Sequence, residues 1–80
     1  MILTKEEKAW VKKVNKILAE CPSDRLMFYA GGDPWIAIID ADHEGDIDSE
    51  LDDPMRIAYR NNWIAKETII FPHKVSAVCF

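Results

Sequence analysis

A regular row of carboxylates in the middle of the chain is the feature that most restricts its fold. Every second position from residue 40 to residue 52 is acidic, and the next residue extends the row. Residues 33–53 hold nine carboxylates and no lysine or arginine, a net charge of −9, whereas the whole chain carries −4. Because like charges at this spacing repel each other, we expect an acidic connection outside the core. The acids of the row are Asp40, Asp42, Glu44, Asp46, Asp48, Glu50, Asp52 and Asp53.

Length and composition predict one globular domain covering residues 1–80. The chain is 49% hydrophobic and 30% charged, which is typical of a folded protein. Its longest apolar run, residues 35–39, is far shorter than the ~20 residues of a membrane span, and residues 5–8 are charged where a signal peptide would be apolar. Cys21 and Cys79 lack metal-type spacing and are expected to be reduced. We therefore expect a cytoplasmic protein, in a bacterial host cell on the resemblance described below, with no membrane partner.

The N-terminal segment predicts an amphipathic helix. Thr4 and Glu7 have the spacing of a capping box, and Pro22 ends the helix near residues 20–21. One face carries apolar residues at helical spacing: Trp10, Val11, Val14, Ile17 and Leu18. Another face carries a row of lysines, which we interpret as solvated: Lys5, Lys8, Lys12, Lys13 and Lys16.

The rest of the chain predicts a small, mainly antiparallel sheet. Residues 25–30 and 34–39 form a hairpin around the turn at 31–33, and two further strands are expected, at residues 68–71 and, as a last edge strand, at 74–80. Residues 54–62 favour a strand, although Asp53 and Pro54 also suit the N-cap and first turn of a short helix. The predicted fold class is α+β, with the N-terminal helix packed on the sheet. An exposed last strand can pair with a second copy, so the sequence allows a homodimer.

Several short elements of the first forty residues are similar to a known group of proteins. They are Leu3-Thr4-Lys5-Glu6-Glu7-Lys8-Ala9-Trp10-Val11, Cys21-Pro22-Ser23-Asp24-Arg25-Leu26, Phe28-Tyr29, Gly32-Asp33 and Ile39-Asp40, with a weaker echo at Phe71-Pro72 and Val75-Ser76. This half of the chain resembles small uncharacterised accessory proteins encoded by phages and prophages of enteric bacteria, whereas the acidic stretch 41–53 departs from them. The resemblance implies a phage origin and brings no activity or catalytic residue.

A basic partner is the first functional interpretation of the acidic row. In an extended segment alternate side chains share one face, about 6.6 Å apart at a rise of ~3.3 Å per residue, so the carboxylates would imitate a nucleic-acid backbone. Such a face favours a basic, nucleic-acid-handling host or defence protein, and small phage proteins that block nucleases, polymerases or defence complexes often work in this way, as the resemblance implies. Trp35, or Met55 and Tyr59, would add an apolar anchor.

Calcium binding is the alternative interpretation. Counted from Asp40, an EF-hand loop would take its oxygen ligands from Asp40, Asp42, Glu44, Asp46 and Asp48, with Gly45 at the sharp turn. Position 12 is Leu51, however, where a bidentate glutamate is needed, so the EF-hand-like loop at 40–51 is incomplete.

A third interpretation is structural: the acids form a mobile, hydrated loop, or they fold back on the helix lysines, each exposed pair contributing about 0–1 kcal/mol. Catalysis is not expected, because His43 and His73 lack a defined ligand set and no serine lies in a nucleophile elbow. Direct nucleic-acid binding is not expected either, because the central block is so acidic. The sequence thus predicts a non-enzymatic binding protein without a cofactor.

Overall fold

The structure, a computed structural model, describes residues 1–76. Four helical segments and three strands follow one another along the chain. The order is α1 (Lys5–Ala19), β1 (Leu26–Ala30), β2 (Trp35–Asp40), a 3-10 turn (Ala41–His43), α2 (Glu44–Asp48), α3 (Pro54–Arg60) and β3 (Ile64–Ile70). The predicted α+β fold class is confirmed.

The N-terminal helix begins where its capping residues predict. The Thr4 hydroxyl accepts a hydrogen bond from the Glu7 backbone N–H at 3.2 Å, and the Thr4 N–H donates to Glu7 Oε1 at 2.7 Å. These two bonds satisfy backbone donors that the first turn leaves without helical partners. The helix ends at Glu20, two residues before Pro22. None of the residues of α1 is buried, which is unexpected for a helix with a continuous apolar stripe.

The sheet is antiparallel throughout, in the order β1-β2-β3. The predicted hairpin is confirmed: β1 pairs with β2 from Leu26 opposite Asp40 to Ala30 opposite Ile36. Gly32, at φ 85°, takes the left-handed conformation that the tight connection requires. β3 begins four residues earlier than the predicted strand at 68–71, and an irregularity in its pairing with β2 lies between Ala37 and Ile39.

The segment after β2 differs from the sequence prediction. Residues 40–53, expected as an extended connection, contain the 3-10 turn and α2, and residues 54–62, for which a strand was favoured, contain α3. The alternative with Asp53 as N-cap was correct, since its Oδ1 accepts a hydrogen bond from Met55 N–H at 2.9 Å and Pro54 occupies the first turn. Both predictions failed for one reason: Ile47, Ile57 and Ala58 become fully buried once the segment is helical.

The chain leaves α3 and enters β3 through an asparagine turn. Asn62 has φ 59°, a left-handed conformation that asparagine tolerates better than most residues. The following Trp63 N–H donates to the Ala58 carbonyl at 2.8 Å. The predicted edge strand at 74–80 is not seen at residues 74–76, which lie in no regular element, and residues 77–80 lie outside the described part.

The core lies on one face of the sheet, beneath α2 and α3. Its buried members are Ile39 of β2, Ile47 of α2, and Ile57 and Ala58 of α3. Partly buried side chains surround them: Met27, Tyr29, Met55, Trp63 and Ile64. The opposite face of the sheet, which includes Phe28 and Ile38, borders α1 across an open groove. The molecule therefore has three layers, and only one of its two interfaces is closely packed.

We predict that Ile57→Ala lowers the free energy of unfolding by about 2–5 kcal/mol, because it leaves a cavity among fully buried neighbours. The matched control is Ile70→Ala, in a side chain that is 77% exposed, with an expected change within about 0.5 kcal/mol. Urea unfolding monitored by circular dichroism measures both. Equal losses for the two variants would show that α3 does not close the core.

Candidate functional site

The structure divides the acidic row into carboxylates that stabilise the fold and carboxylates that face solvent. Asp40 belongs to the first class: it is half-buried, and its Oδ1 accepts a hydrogen bond from Asp42 N–H at 3.0 Å, which caps the 3-10 turn. Asp53 also belongs to it, as the N-cap of α3. These two carboxylates lie at either end of the acidic segment, and each accepts a hydrogen bond from a nearby backbone N–H.

Arginines of α3 offset two more carboxylates. Arg60 Nη2 lies 3.1 Å from Glu50 Oε2, and Arg60 Nη1 lies 3.6 Å from Asp52 Oδ2. Arg56 Nη1 lies 3.6 Å from Asp52 Oδ1, one helical turn away. Each exposed pair contributes little stability by itself, but together they neutralise most of the charge at residues 50–52. The helical form of residues 54–60 places both arginines on the side of the acids.

The remaining four carboxylates form what we call the acidic face: Asp42, Glu44, Asp46 and Asp48, all exposed. Among residues 1–76 no lysine or arginine makes an ion pair with any of them. The expected extended, one-sided row is wrong, because side chains two apart on a helix do not point in the same direction. Residues four apart do, so Glu44 and Asp48 share one side of α2.

A histidine–tryptophan stack fixes the start of the acidic face. The His43 ring lies parallel to the Trp63 ring, with centroids 4.1 Å apart and an interplanar angle of 8°. His43 Nδ1 is 2.9 Å from Asp46 Oδ2. The side chain thus links the first turn of α2 to the residue that precedes β3. The sequence analysis found no defined ligand set for His43 and missed this stack, since residues 43 and 63 meet only in the folded chain.

The pKa of Tyr29 depends on how close α2 lies to the sheet. It is half-buried on the core face of β1. Burial raises the pKa of its phenol above the ordinary 10.0, and the negative charges of Asp48 and Glu44 raise this pKa further. Both carboxylates therefore act on the same phenol, which agrees with their sharing one side of α2.

Trp35 does not lie beside the acidic face. It begins β2, whereas the acids follow the other end of that strand, about 16 Å away at ~3.3 Å per residue. Trp35 lines a shallow groove with Pro34, Thr68 and Ile70. Two other exposed apolar residues lie in the segment after Asp48: Leu51, fully exposed, and Tyr59, 79% exposed.

The arrangement does not favour the calcium alternative. The five proposed ligands span β2, the 3-10 turn and α2, and no group of three or more histidine, cysteine or acidic side chains among residues 1–76 is placed to hold a metal ion. Gly45 lies inside α2 rather than at a sharp turn. An EF-hand loop wraps its oxygens around the ion, whereas a helix directs these carboxylates outward.

Comparisons with known proteins add no relative. The chain matches no family model, no curated protein and no solved structure. The resemblance to phage and prophage accessory proteins therefore stays a prediction. Within residues 1–76 no helix is long and apolar enough to cross a bilayer.

We predict that the phenol of Tyr29 titrates above pH 10, and that Asp48→Asn with Glu44→Gln moves this titration to lower pH. Tyrosinate absorbance in a Tyr59→Phe background measures it, because Tyr29 is then the only tyrosine. As the unfolded chain releases this proton first, stability should fall as pH rises from about 10 through the raised pKa. Asp24→Asn with Glu67→Gln makes the same charge change elsewhere and should leave the midpoint in place. An unchanged midpoint in the first pair would place α2 away from Tyr29.

Proposed function

We propose that the chain is a non-enzymatic protein that binds a basic, nucleic-acid-handling protein through its acidic face. The observation that supports this is the group of four exposed carboxylates that no lysine or arginine of residues 1–76 pairs with, beside two others that arginines already offset. A chain that needed only to relieve repulsion could pair these four with arginines in the same way. Without such partners, residues 42–48 keep a high density of negative charge at the surface.

The charge density of this face is close to that of nucleic acid. Residues 42–48 span about 10 Å at helical rise, so four carboxylates amount to roughly one charge per 2.5 Å of axis, distributed around the segment rather than along one side. Duplex DNA carries one charge per ~1.7 Å of axis, or one per ~3.4 Å on each strand. A surface built to bind phosphates would therefore attract this face over a similar distance. The imitation rests on density rather than on the extended spacing first expected.

Exposed apolar side chains in the segment after the acidic face are the proposed source of the anchoring contacts that charge alone does not supply. Electrostatic complementarity raises association rates and selects partners, while affinity comes mainly from a few anchoring side chains. Leu51 is fully exposed between the acidic face and α3, and Tyr59 is exposed on α3. These two residues replace Trp35 as the proposed anchors. A phage or prophage origin, with a host or defence protein as target, is the biological setting that the sequence resemblance suggests.

The competing explanation is that the acids only keep the chain hydrated or pair with the helix lysines. The second form, pairing with the lysines, has no support. If the acids folded back on the helix lysines, ion pairs with α1 would be expected. Among the described residues none is formed, and α1 borders the face of the sheet opposite to α2. The lysines and the acidic face therefore belong to opposite outer layers.

We predict that Asp42→Asn, Glu44→Gln and Asp48→Asn together weaken target binding about tenfold. Exposed charges contribute about 0.5 kcal/mol each, and 1.4 kcal/mol is a factor of ten in Kd. Asp46 is kept because it holds His43. The assay is retention of bacterial lysate proteins on the immobilised chain at low and moderate salt, with identification by mass spectrometry. The retained protein should then be released by added duplex DNA.

The matched control removes three exposed carboxylates outside the acidic face: Glu6→Gln, Asp24→Asn and Glu67→Gln. Both triple variants change the net charge equally, so general electrostatics affects them alike. The control should retain the target as the parent does. Equal retention by the two triple variants, or retention that neither salt nor DNA reduces, would refute the proposed function.

A further inference from the structure

The apolar stripe of α1 is largely uncovered. Ile17 is 70% exposed, Trp10 is 55% exposed and Leu18 is 51% exposed. At about 25 cal/mol per Å², leaving such side chains in water forgoes much of the stabilisation available to them. Single exposed apolar residues need no explanation, but three along one stripe of a helix form a patch.

This patch continues onto the sheet. The groove between the end of α1 and the sheet is lined by Ile17, Leu18 and Cys21 from the helix side and by strand residues that include Phe28, itself 45% exposed. We call the combined patch of Trp10, Ile17, Leu18 and Phe28 the α1 surface. None of these four residues is charged. Ile17, Leu18 and Phe28 line the groove between α1 and the sheet, whereas Trp10 lines a second groove that Glu6 and Glu7 also border.

The total exposed area shows how much surface the fold leaves uncovered. The chain exposes 6938 Å², whereas a compact monomer of 9.2 kDa is expected to expose about 4,900 Å². The excess is about 2,000 Å², and half of it exceeds the ~800 Å² that each partner buries in a standard interface. The radius of gyration agrees: it is 15.0 Å, against roughly 12 Å for 80 compact residues.

We propose that the α1 surface is covered by a second copy of this chain, in a two-fold symmetric dimer. A two-fold interface places the same patch on both partners, so the patch must complement itself. An uncharged apolar patch meets this condition, because no like charges are brought together at its centre. Homodimer interfaces are more apolar than the rest of the protein surface, which fits this patch.

The charge distribution also permits this approach. The lysine row lies on the side of α1 opposite to the apolar stripe, and the acidic face lies on the layer across the sheet. Two copies that meet through the α1 surface therefore keep both acidic faces outward and apart. The dimer would present two such faces to a partner, but its formation does not depend on the proposed function.

Sedimentation equilibrium of the purified full chain over a concentration series tests the proposal. The parent should have a mass near twice 9.2 kDa, and Ile17→Glu should return it to the mass of one chain at the same concentration. Ile17 is mostly exposed, so circular dichroism should show an unchanged fold. Ile70→Glu is the matched control: it adds the same charge at an isoleucine that is 77% exposed and lies outside the α1 surface, and it should leave the dimer intact.

Several results would overturn the proposal. A parent that stays at the mass of one chain at the highest concentration shows that no second copy covers the α1 surface. A dimer that survives Ile17→Glu uses another surface, and if that variant unfolds, Leu18→Lys decides the same question. Salt separates this proposal from the previous one: apolar association should persist or strengthen as salt rises, whereas binding through the acidic face should weaken.

Discussion

Burial of Ile47 and Ile57 against Ile39 is the contact on which the rest of the structure depends. All three side chains are at most 1% exposed, and they come from α2, α3 and the central strand. Without this contact the acidic segment would have no reason to leave an extended, hydrated conformation, since its carboxylates repel one another. Hydrophobic burial of two isoleucines is of order 1.5–3 kcal/mol each, which outweighs the weak repulsion of exposed charges.

That folding event sorts the acids into different roles. Once residues 44–48 and 54–60 are helical, Asp40 and Asp53 act as caps, while Arg56 and Arg60 lie beside Glu50 and Asp52. The four carboxylates left over lie on the 3-10 turn and α2, and the stack of His43 on Trp63 fixes the start of that segment. The carboxylates are evenly spaced in the sequence but have different surroundings in the folded chain. The proposed binding role rests on the four that neither cap a helical segment nor pair with an arginine.

The two outer layers of the molecule differ in packing as much as in charge. The layer of α2 and α3 buries a complete, if small, core, whereas α1 buries nothing and carries an uncovered apolar stripe. So short a chain has enough residues to pack one face of the sheet closely. Too few apolar residues are left to cover α1 on the other face. A second copy would supply the missing surface for α1 and leave the acidic layer free.

Local signals in the sequence determined α1 with its capping box, the β1–β2 hairpin, and the α+β class, because caps, turns and alternation act between near neighbours. The sequence also located the acidic row and offered α3 as an alternative through Asp53 and Pro54. Only the tertiary structure decided that residues 44–48 are helical, which carboxylates the arginines offset, where Trp35 lies and that His43 stacks on Trp63. These outcomes depend on contacts between residues far apart in the chain, such as Ile39 with Ile57 and residue 43 with residue 63. Side-chain periodicity over a few positions carries no information about such contacts.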